Sequence, residues 1–94
     1  MPHPVRFDRI EAVGVITLDN PPVNAFSLSQ RIGVSEALTA GLQDPDIQAF
    51  VICGSGRMFS AGADIREFDT GVAGESPTLM DLISLIEDSP KPVV

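Results

Sequence analysis

The sequence has few of the side chains that carry chemistry in most enzymes, with one cysteine and one histidine among 94 residues. A single cysteine excludes an internal disulfide and every multi-thiolate metal site. Nucleophilic catalysis by Cys53 would need a base such as histidine beside it, and a cysteine in the middle of a strand is more commonly a small core residue. The only histidine, His3, lies in a proline-flanked terminus. Because there is no second histidine, we predict no metal site.

Positive charge is also scarce, with 6 Lys and Arg against 13 Asp and Glu and a net charge of -7. This balance argues against a long nucleic-acid groove or a polybasic membrane anchor, although Arg57, Arg66 or Lys91 could still form a local site for a small anion. No apolar run approaches the ~20 residues of a membrane-spanning helix, and the N-terminus has no secretory signal pattern. The length predicts a single domain over residues 1–94.

The residues that are present alternate between strand and helix patterns. Two strands are predicted within residues 5–18, where Val5, Phe7 and Ile10 alternate with charged residues and Val13–Leu18 is more continuously apolar. A second covered strand is predicted over residues 49–53, and Val93-Val94 would begin a third. A strand, a helix and a strand in that order make a βαβ unit, so the fold class is α/β.

Two helices are predicted between these strands. The first begins at Ser27 with a capping box formed with Gln30, in which each side chain bonds the other's backbone. The second begins at the pair Ser76-Pro77. Their predicted apolar faces are Leu28, Ile32, Leu38 and Leu42 in the first helix and Leu79, Leu82, Ile83 and Ile86 in the second.

The loops contain three candidate chemical features. Gly54 and Gly56 do not complete a phosphate-binding glycine pattern and are interpreted as turn residues. Two carboxylate pairs could act in acid–base catalysis, Asp64 with Glu67 and Asp69 with Glu75, but the local pattern favours helix-start and surface charges. The third feature is the stretch "FSAGADIREF", in which residues 60–63 have no side chain large enough to react.

This bare backbone has two interpretations. If a helix begins at Asp64, the N–H groups from Gly62 to Ile65 are unpaired at the positive end of its dipole. Such donors stabilise negative charge on an oxygen without any reactive side chain. The alternative is a tight turn between a strand and a helix, with no ligand.

At these residues the sequence resembles the enoyl-CoA hydratase/isomerase (crotonase) superfamily. The stretch "VGVITLDNPPVNAFS" resembles the first strand and the Asn-Pro-Pro-x-Asn-Ala turn of that family. The stretch "DIQAFVICGSGRMFSAGADIREF" resembles its strand, turn and oxyanion-hole segment, and "SPKPVV" resembles the lead into the next strand. The stretches "PPVNAFS" and "AGADIREF" most resemble the N-terminal hydratase part of multifunctional β-oxidation enzymes. In those enzymes a 3-hydroxyacyl-CoA dehydrogenase follows the hydratase part.

The resemblance implies a crotonase-like spiral of ββα units, of which residues 1–94 are the N-terminal portion, truncated before the catalytic glutamates. It implies addition of water to 2-enoyl-CoA thioesters in fatty-acid β-oxidation, with the Ala63 N–H as one of two oxyanion-hole donors. The second donor and the glutamates would lie beyond Val94, so the 94-residue chain alone is expected to be inactive and marginally stable. Residues implied to contact CoA or acyl-CoA are Val23, Ala25, Ala61, Gly62, Asp64, Ile65 and Arg66, with Arg57 as an alternative for the phosphates.

The resemblance also implies partners and location. The substrate carries coenzyme A, hydration needs no further cofactor, and NAD enters only if a dehydrogenase domain follows. The parent would be a homo-oligomer or a multidomain protein, cytoplasmic in a bacterium and peroxisomal or mitochondrial in a eukaryote. Two alternatives remain: another crotonase-type reaction such as isomerisation, dehalogenation, decarboxylation or thioester hydrolysis, and a non-catalytic acyl-CoA-binding domain.

Overall fold

The computed structural model describes residues 4–56, 58–67 and 71–94. The predictions that concern His3, Arg57, Asp69 and the side chain of Arg66 lie outside this description and stay predictions.

A three-stranded sheet forms the base of the fold, with β1 (Val5–Ile10), β2 (Val13–Leu18) and β3 (Ala49–Gly54) in that spatial order. Strands β1 and β2 are antiparallel, while β2 and β3 are parallel and are joined through a helix. The predicted βαβ unit is therefore confirmed. The other edge of β3 receives the end of the chain, because Phe50 N–H donates to Pro92 O at 2.8 Å and Val94 N–H donates to Phe50 O at 3.0 Å.

The two faces of the sheet are covered unequally. In β2 the residues of one face, Gly14, Ile16 and Leu18, are buried, whereas those of the other face are half-buried. In β1 only Val5 is buried, and the predicted apolar positions Phe7 and Ile10 are 37% and 61% exposed. The strand assignments are confirmed, but the apolar face predicted for β1 is only partly covered.

Helix α1 (Leu28–Leu42) begins at the predicted cap, where Ser27 Oγ accepts the Gln30 N–H at 3.3 Å. The reciprocal half of the capping box is wrong, because the Ser27 N–H donates to Ala25 O at 2.9 Å and not to Gln30 Oε1. The predicted apolar face is also wrong at Ile32, which is exposed. Residues two apart lie on different sides of a helix, and Ile32 lies two residues from the buried positions Gln30 and Val34.

Helix α2 (Leu79–Glu87) does not begin at Ser76-Pro77 as predicted; its cap is Thr78. Thr78 Oγ1 accepts the Asp81 N–H at 3.1 Å, and Asp81 Oδ2 accepts the Thr78 N–H at 2.9 Å. Ser76 is followed three residues later by Leu79, whose side chain cannot return such a bond, so the reciprocal pair favours the later start.

The core lies between the sheet and the two helices. Its most buried side chains are Ile16, Leu18, Val34, Leu38, Ile47, Phe50 and Leu82. Lys91 joins the chain end to α1, because its Nζ donates to Gly41 O at 2.8 Å and to Asp44 O at 2.9 Å. The ammonium group thereby binds one carbonyl in the last turn of the helix and one just after the helix, a structural use of the charge that the sequence did not predict.

Candidate functional site

Backbone hydrogen bonds join the turn after β2 to the segment after β3. Ala61 N–H donates to Val23 O at 2.9 Å, and Phe26 N–H donates to Gly62 O at 2.7 Å. Phe26 and Ala63 form a parallel bridge. The two loops that are far apart in the sequence, and that carry most of the predicted site residues, therefore lie side by side.

Asn24 is the centre of this junction. It is buried and has a left-handed backbone, with φ 53°. Its Oδ1 accepts the Asn20 N–H at 2.7 Å, and its Nδ2 donates to Met58 O at 3.0 Å. Its carbonyl accepts the Ser60 hydroxyl at 2.6 Å. Asparagine tolerates the left-handed region and can bond locally, so one residue fixes both the turn and the neighbouring segment.

A groove of about 460 Å³ opens at the junction. It is lined by Pro22, Val23, Ala25, Ala61, Ala63, Asp64 and Ile65. The structure thus brings together the predicted residues of both loops. Gly62 does not line this groove; it lines a separate apolar cavity of about 250 Å³ beneath α2.

The Ala63 amide has a defined direction. Gly62 O accepts the Phe26 N–H, and in a trans peptide the N–H of the next residue points opposite to that carbonyl. The Ala63 N–H therefore points away from Phe26. Within residues 4–56, 58–67 and 71–94 it has no hydrogen-bond acceptor. The amide is a donor available at an apolar groove.

The helix predicted to begin at Asp64 is a single 3-10 turn, Ile65–Glu67. A turn of this length has no appreciable macrodipole, because the dipole arises from several aligned peptide units. The described residues therefore give no support to a helix dipole at Asp64. The direction of the Ala63 N–H is set instead by the pairing of Gly62 with Phe26.

The pair of Asp64 and Glu67 is one of the two candidates for acid–base catalysis. Glu67 Oε1 forms an ion pair with Arg31 Nη1 at 3.0 Å, and Glu67 Oε2 accepts the Leu28 N–H at 3.0 Å. Asp64 is buried and lines the groove. Glu67 thus has structural contacts, which agrees with the structural interpretation of this carboxylate.

Sequence reasoning missed Arg31. Its side chain is only 3% exposed, although it lies on the first turns of α1. The available signal was its position between Gln30 and the core residue Val34, since a basic residue next to an apolar helical face must find partners when it is buried.

Metal binding, cysteine chemistry and membrane insertion were considered next for the residues that the structure describes. In that part of the chain no group of three or more His, Cys, Asp and Glu side chains could hold a metal ion. Cys53 is half-buried in β3 with its Sγ 3.6 Å from Thr17 Oγ1. No helix in the same part is both long and apolar enough to cross a membrane.

Comparison with known proteins identifies the family. The profile of the enoyl-CoA hydratase/isomerase family matches residues 8–94. The chain is 47% identical over 83 residues to the peroxisomal bifunctional enzyme of Danio rerio, covering 88% of this chain and 11% of that protein. It is 38% identical over 90 residues to a peroxisomal fatty acid beta-oxidation multifunctional protein of Arabidopsis thaliana, covering 89% and 12%.

A solved structure agrees in fold. The crystal structure of an enoyl-CoA hydratase from Mycobacterium marinum superposes with a TM-score of 0.81 at 28% identity, over 96% of this chain and 46% of that one. The chain therefore spans about a tenth of the multifunctional relatives and less than half of the solved hydratase. It is a crotonase-type α/β structure, similar to the N-terminal hydratase part of multifunctional enzymes. The chain belongs to the enoyl-CoA hydratase/isomerase family.

Proposed function

We propose that the chain is the part of an enoyl-CoA hydratase that binds the thioester of a 2-enoyl-CoA in fatty-acid β-oxidation. The observation that carries this proposal is the Ala63 N–H. It points away from its neighbouring strand and has no acceptor in the described part of the chain, and Ala63 lines an apolar groove. Membership of the hydratase/isomerase family supports a thioester carbonyl as the group that accepts this hydrogen bond.

The chemistry follows from the charge that hydration creates. Attack of water at the 3-carbon moves electron density onto the thioester oxygen, which becomes enolate-like. A preorganised amide donor at an apolar groove stabilises that oxygen, and loss of one such donor typically lowers the rate about 100- to 1,000-fold. The amide needs no reorganisation, since Gly62 and Phe26 already hold its peptide plane.

The chain supplies one donor, and by its resemblance to the family the second donor and the general acid–base glutamates would lie beyond Val94. We therefore expect the 94-residue chain to bind acyl-CoA without turning it over. Val23, Ala25, Ala61 and Ile65 would contact the CoA part, because they line the groove beside Ala63.

The relatives also bear on the parent protein. Their printed names support a peroxisomal location in a eukaryotic source and a parent with more than one activity. NAD would act only in a following dehydrogenase domain, and hydration itself would use no cofactor. The other crotonase-type reactions would use the same amide, and the relatives named as enoyl-CoA hydratases favour hydration over them.

Binding of acetoacetyl-CoA tests the proposal. This 3-oxoacyl thioester ionises to an enolate and so presents the oxygen charge that the Ala63 amide would stabilise. We expect the chain to bind it more tightly than CoA by calorimetry. Ala63→Pro removes the N–H and should weaken acetoacetyl-CoA binding about 10- to 100-fold, the effect of losing a hydrogen bond to a charged group.

The matched control is Ala63→Gly, which keeps the amide and should retain most of the affinity. Equal binding of CoA and acetoacetyl-CoA, unaffected by Ala63→Pro, would indicate an acyl-CoA-binding domain without an oxyanion contact. No binding of either compound by the folded chain would refute the proposal for these 94 residues.

A further inference from the structure

Arg31 is a buried cation whose donors are all matched by acceptors. Its guanidinium has five N–H groups in a fixed planar arrangement. Nε donates to Pro77 O at 2.7 Å, Nη1 donates to Phe26 O at 2.9 Å and to Glu67 Oε1 at 3.0 Å, and Nη2 donates to Val72 O at 3.0 Å and Glu75 O at 3.4 Å. A lysine has three donors and no planar fork, so it could not reproduce this set.

One of these bonds leads directly to the proposed oxyanion donor. Phe26 O accepts from Arg31 Nη1, and the N–H of the same residue donates to Gly62 O. Because Gly62 O and the Ala63 N–H belong to one peptide plane, a shift of Phe26 rotates the Ala63 amide. Arg31 therefore constrains the Ala63 amide through a single intervening residue.

Glu67 constrains the other side of the same segment. Its backbone N–H donates to Asp64 O at 3.1 Å, and its side chain bonds both Arg31 and the Leu28 N–H. The three residues around the Ala63 amide are thus tied at Gly62 through Phe26 and at Asp64 through Glu67. Arg31 donates hydrogen bonds to both Phe26 and Glu67.

We propose that the Arg31–Glu67 pair is a positioning pair, which holds the Ala63 N–H in the direction that a thioester oxygen requires. The inference rests on the proposed function of Ala63 and adds two residues that do not themselves touch the substrate. Its physical basis is that oxyanion stabilisation depends on donor geometry, so that a displacement of about 1 Å can lower the rate about 100-fold.

A purely structural role predicts something different. Arg31 also joins α1 to the loop before α2, through Pro77, Val72 and Glu75. If this were its only effect, loss of the pair would lower stability and leave the Ala63 amide where it is in molecules that remain folded. The test therefore has to report on the amide itself.

The experiment compares ¹⁵N-labelled wild type with Arg31→Met, Arg31→Lys and Glu67→Gln, at a temperature where each is folded. The control is Arg6→Met, which removes an exposed ion pair, Arg6 with Asp19 at 3.2 Å, in which the arginine side chain is 54% exposed. We expect the Ala63 and Gly62 amide resonances to shift in all three variants of the pair and to stay unchanged in the control.

The same variants are titrated with acetoacetyl-CoA and with CoA. The preference for acetoacetyl-CoA should fall about 10-fold or more when the pair is broken, while CoA affinity changes by less than about twofold, since misplacement affects only the oxyanion contact. Arg31→Lys should lie between the wild type and Arg31→Met, because it keeps the charge without the planar fork. If Arg31→Met does not fold, the isosteric Glu67→Gln decides the question.

Two failures are distinguishable. A wild-type chain that shows no preference for acetoacetyl-CoA refutes the proposed function of Ala63, whatever the amide resonances do. Unmoved Ala63 and Gly62 resonances in folded Glu67→Gln and Arg31→Lys refute the positioning role, even when acetoacetyl-CoA binds as expected. An equal loss of preference in Arg6→Met would show a general charge effect and would likewise overturn it.

Discussion

Gly41 lies directly against the ring of Phe50. A Cβ atom on Gly41 would overlap two carbons of that ring and come within 3.3 Å of Phe7. Phe50 is fully buried in the core and cannot move aside. Helix α1 therefore approaches the sheet at a distance that only glycine permits at this position.

The first prediction is that Gly41→Ala destabilises the fold. Alanine is a better helix former than glycine by about 1 kcal/mol, so an exposed site would gain stability. Here the overlap with Phe50 should outweigh that gain and cost about 1–3 kcal/mol net. Thermal unfolding followed by circular dichroism should show a Tm lower by about 4–8 °C for each kcal/mol.

The matched control for this substitution is Gly74→Ala. A Cβ on Gly74 meets no atom of the described residues within 4 Å, so the Tm of this variant should stay close to that of the wild type. A Gly41→Ala protein as stable as the Gly74→Ala protein would contradict the close approach of α1 to Phe50.

The second prediction concerns Asn24, whose side chain bonds Asn20 N–H and Met58 O. Asn24→Ala removes both bonds and places a residue with a Cβ at φ 53° without a local bond. Asn24→Gly removes the same bonds but adopts this φ freely. We expect each to lose about 1–3 kcal/mol in urea unfolding, with the glycine variant the more stable of the two.

The comparison separates the two contributions of Asn24. The difference between alanine and glycine measures the backbone strain, and the loss that they share measures the hydrogen bonds. Wild-type stability in both variants would show that Asn24 does not hold the groove together.

The third prediction is a pH dependence at the start of α2. Backbone and side-chain hydrogen bonds with Thr78 lower the pKa of Asp81 from 3.8. Because the folded-state pKa is below the unfolded value, the contribution of Asp81 is fully present above pH 3.8 and is lost as the pH falls through the lower, folded-state pKa. The free energy of unfolding of wild type and Asp81→Ala should differ at neutral pH and converge in acid.

The measurement is urea unfolding of both proteins along a pH series. Glu87→Ala is the control, since Glu87 lies at the other end of α2 and has no part in the cap. A difference between wild type and Asp81→Ala that stays constant into acid would show that the carboxylate does not act as the reciprocal cap.

Much of this architecture could be predicted from local patterns. The apolar runs of β2 and β3 and the Ser27 cap mark element types and starts, because each depends on residues within one turn or one strand. Residues 60–63 likewise allowed either a bare-backbone donor or a tight turn, because their lack of reactive side chains is visible in the sequence.

The errors arose where two local signals competed. Ser76-Pro77 and Thr78 both match a helix start, and only the reciprocal bond with Asp81 decides between them. Ile32 was assigned to the buried face of α1 although the sheet is contacted through positions such as Val34 and Leu38. Which side of a helix is buried depends on where the sheet lies, and that is not a local property.

The sequence by itself determined the element types, the α/β class and the identity of the small residues around Ala63. Only the tertiary structure decided the direction of the Ala63 N–H and the partners of Arg31. The direction follows from a hydrogen bond between Phe26 and Gly62, and the Arg31 contacts join α1 to segments that follow it by 36 to 46 residues. Such contacts depend on how distant segments pack, which no local pattern encodes.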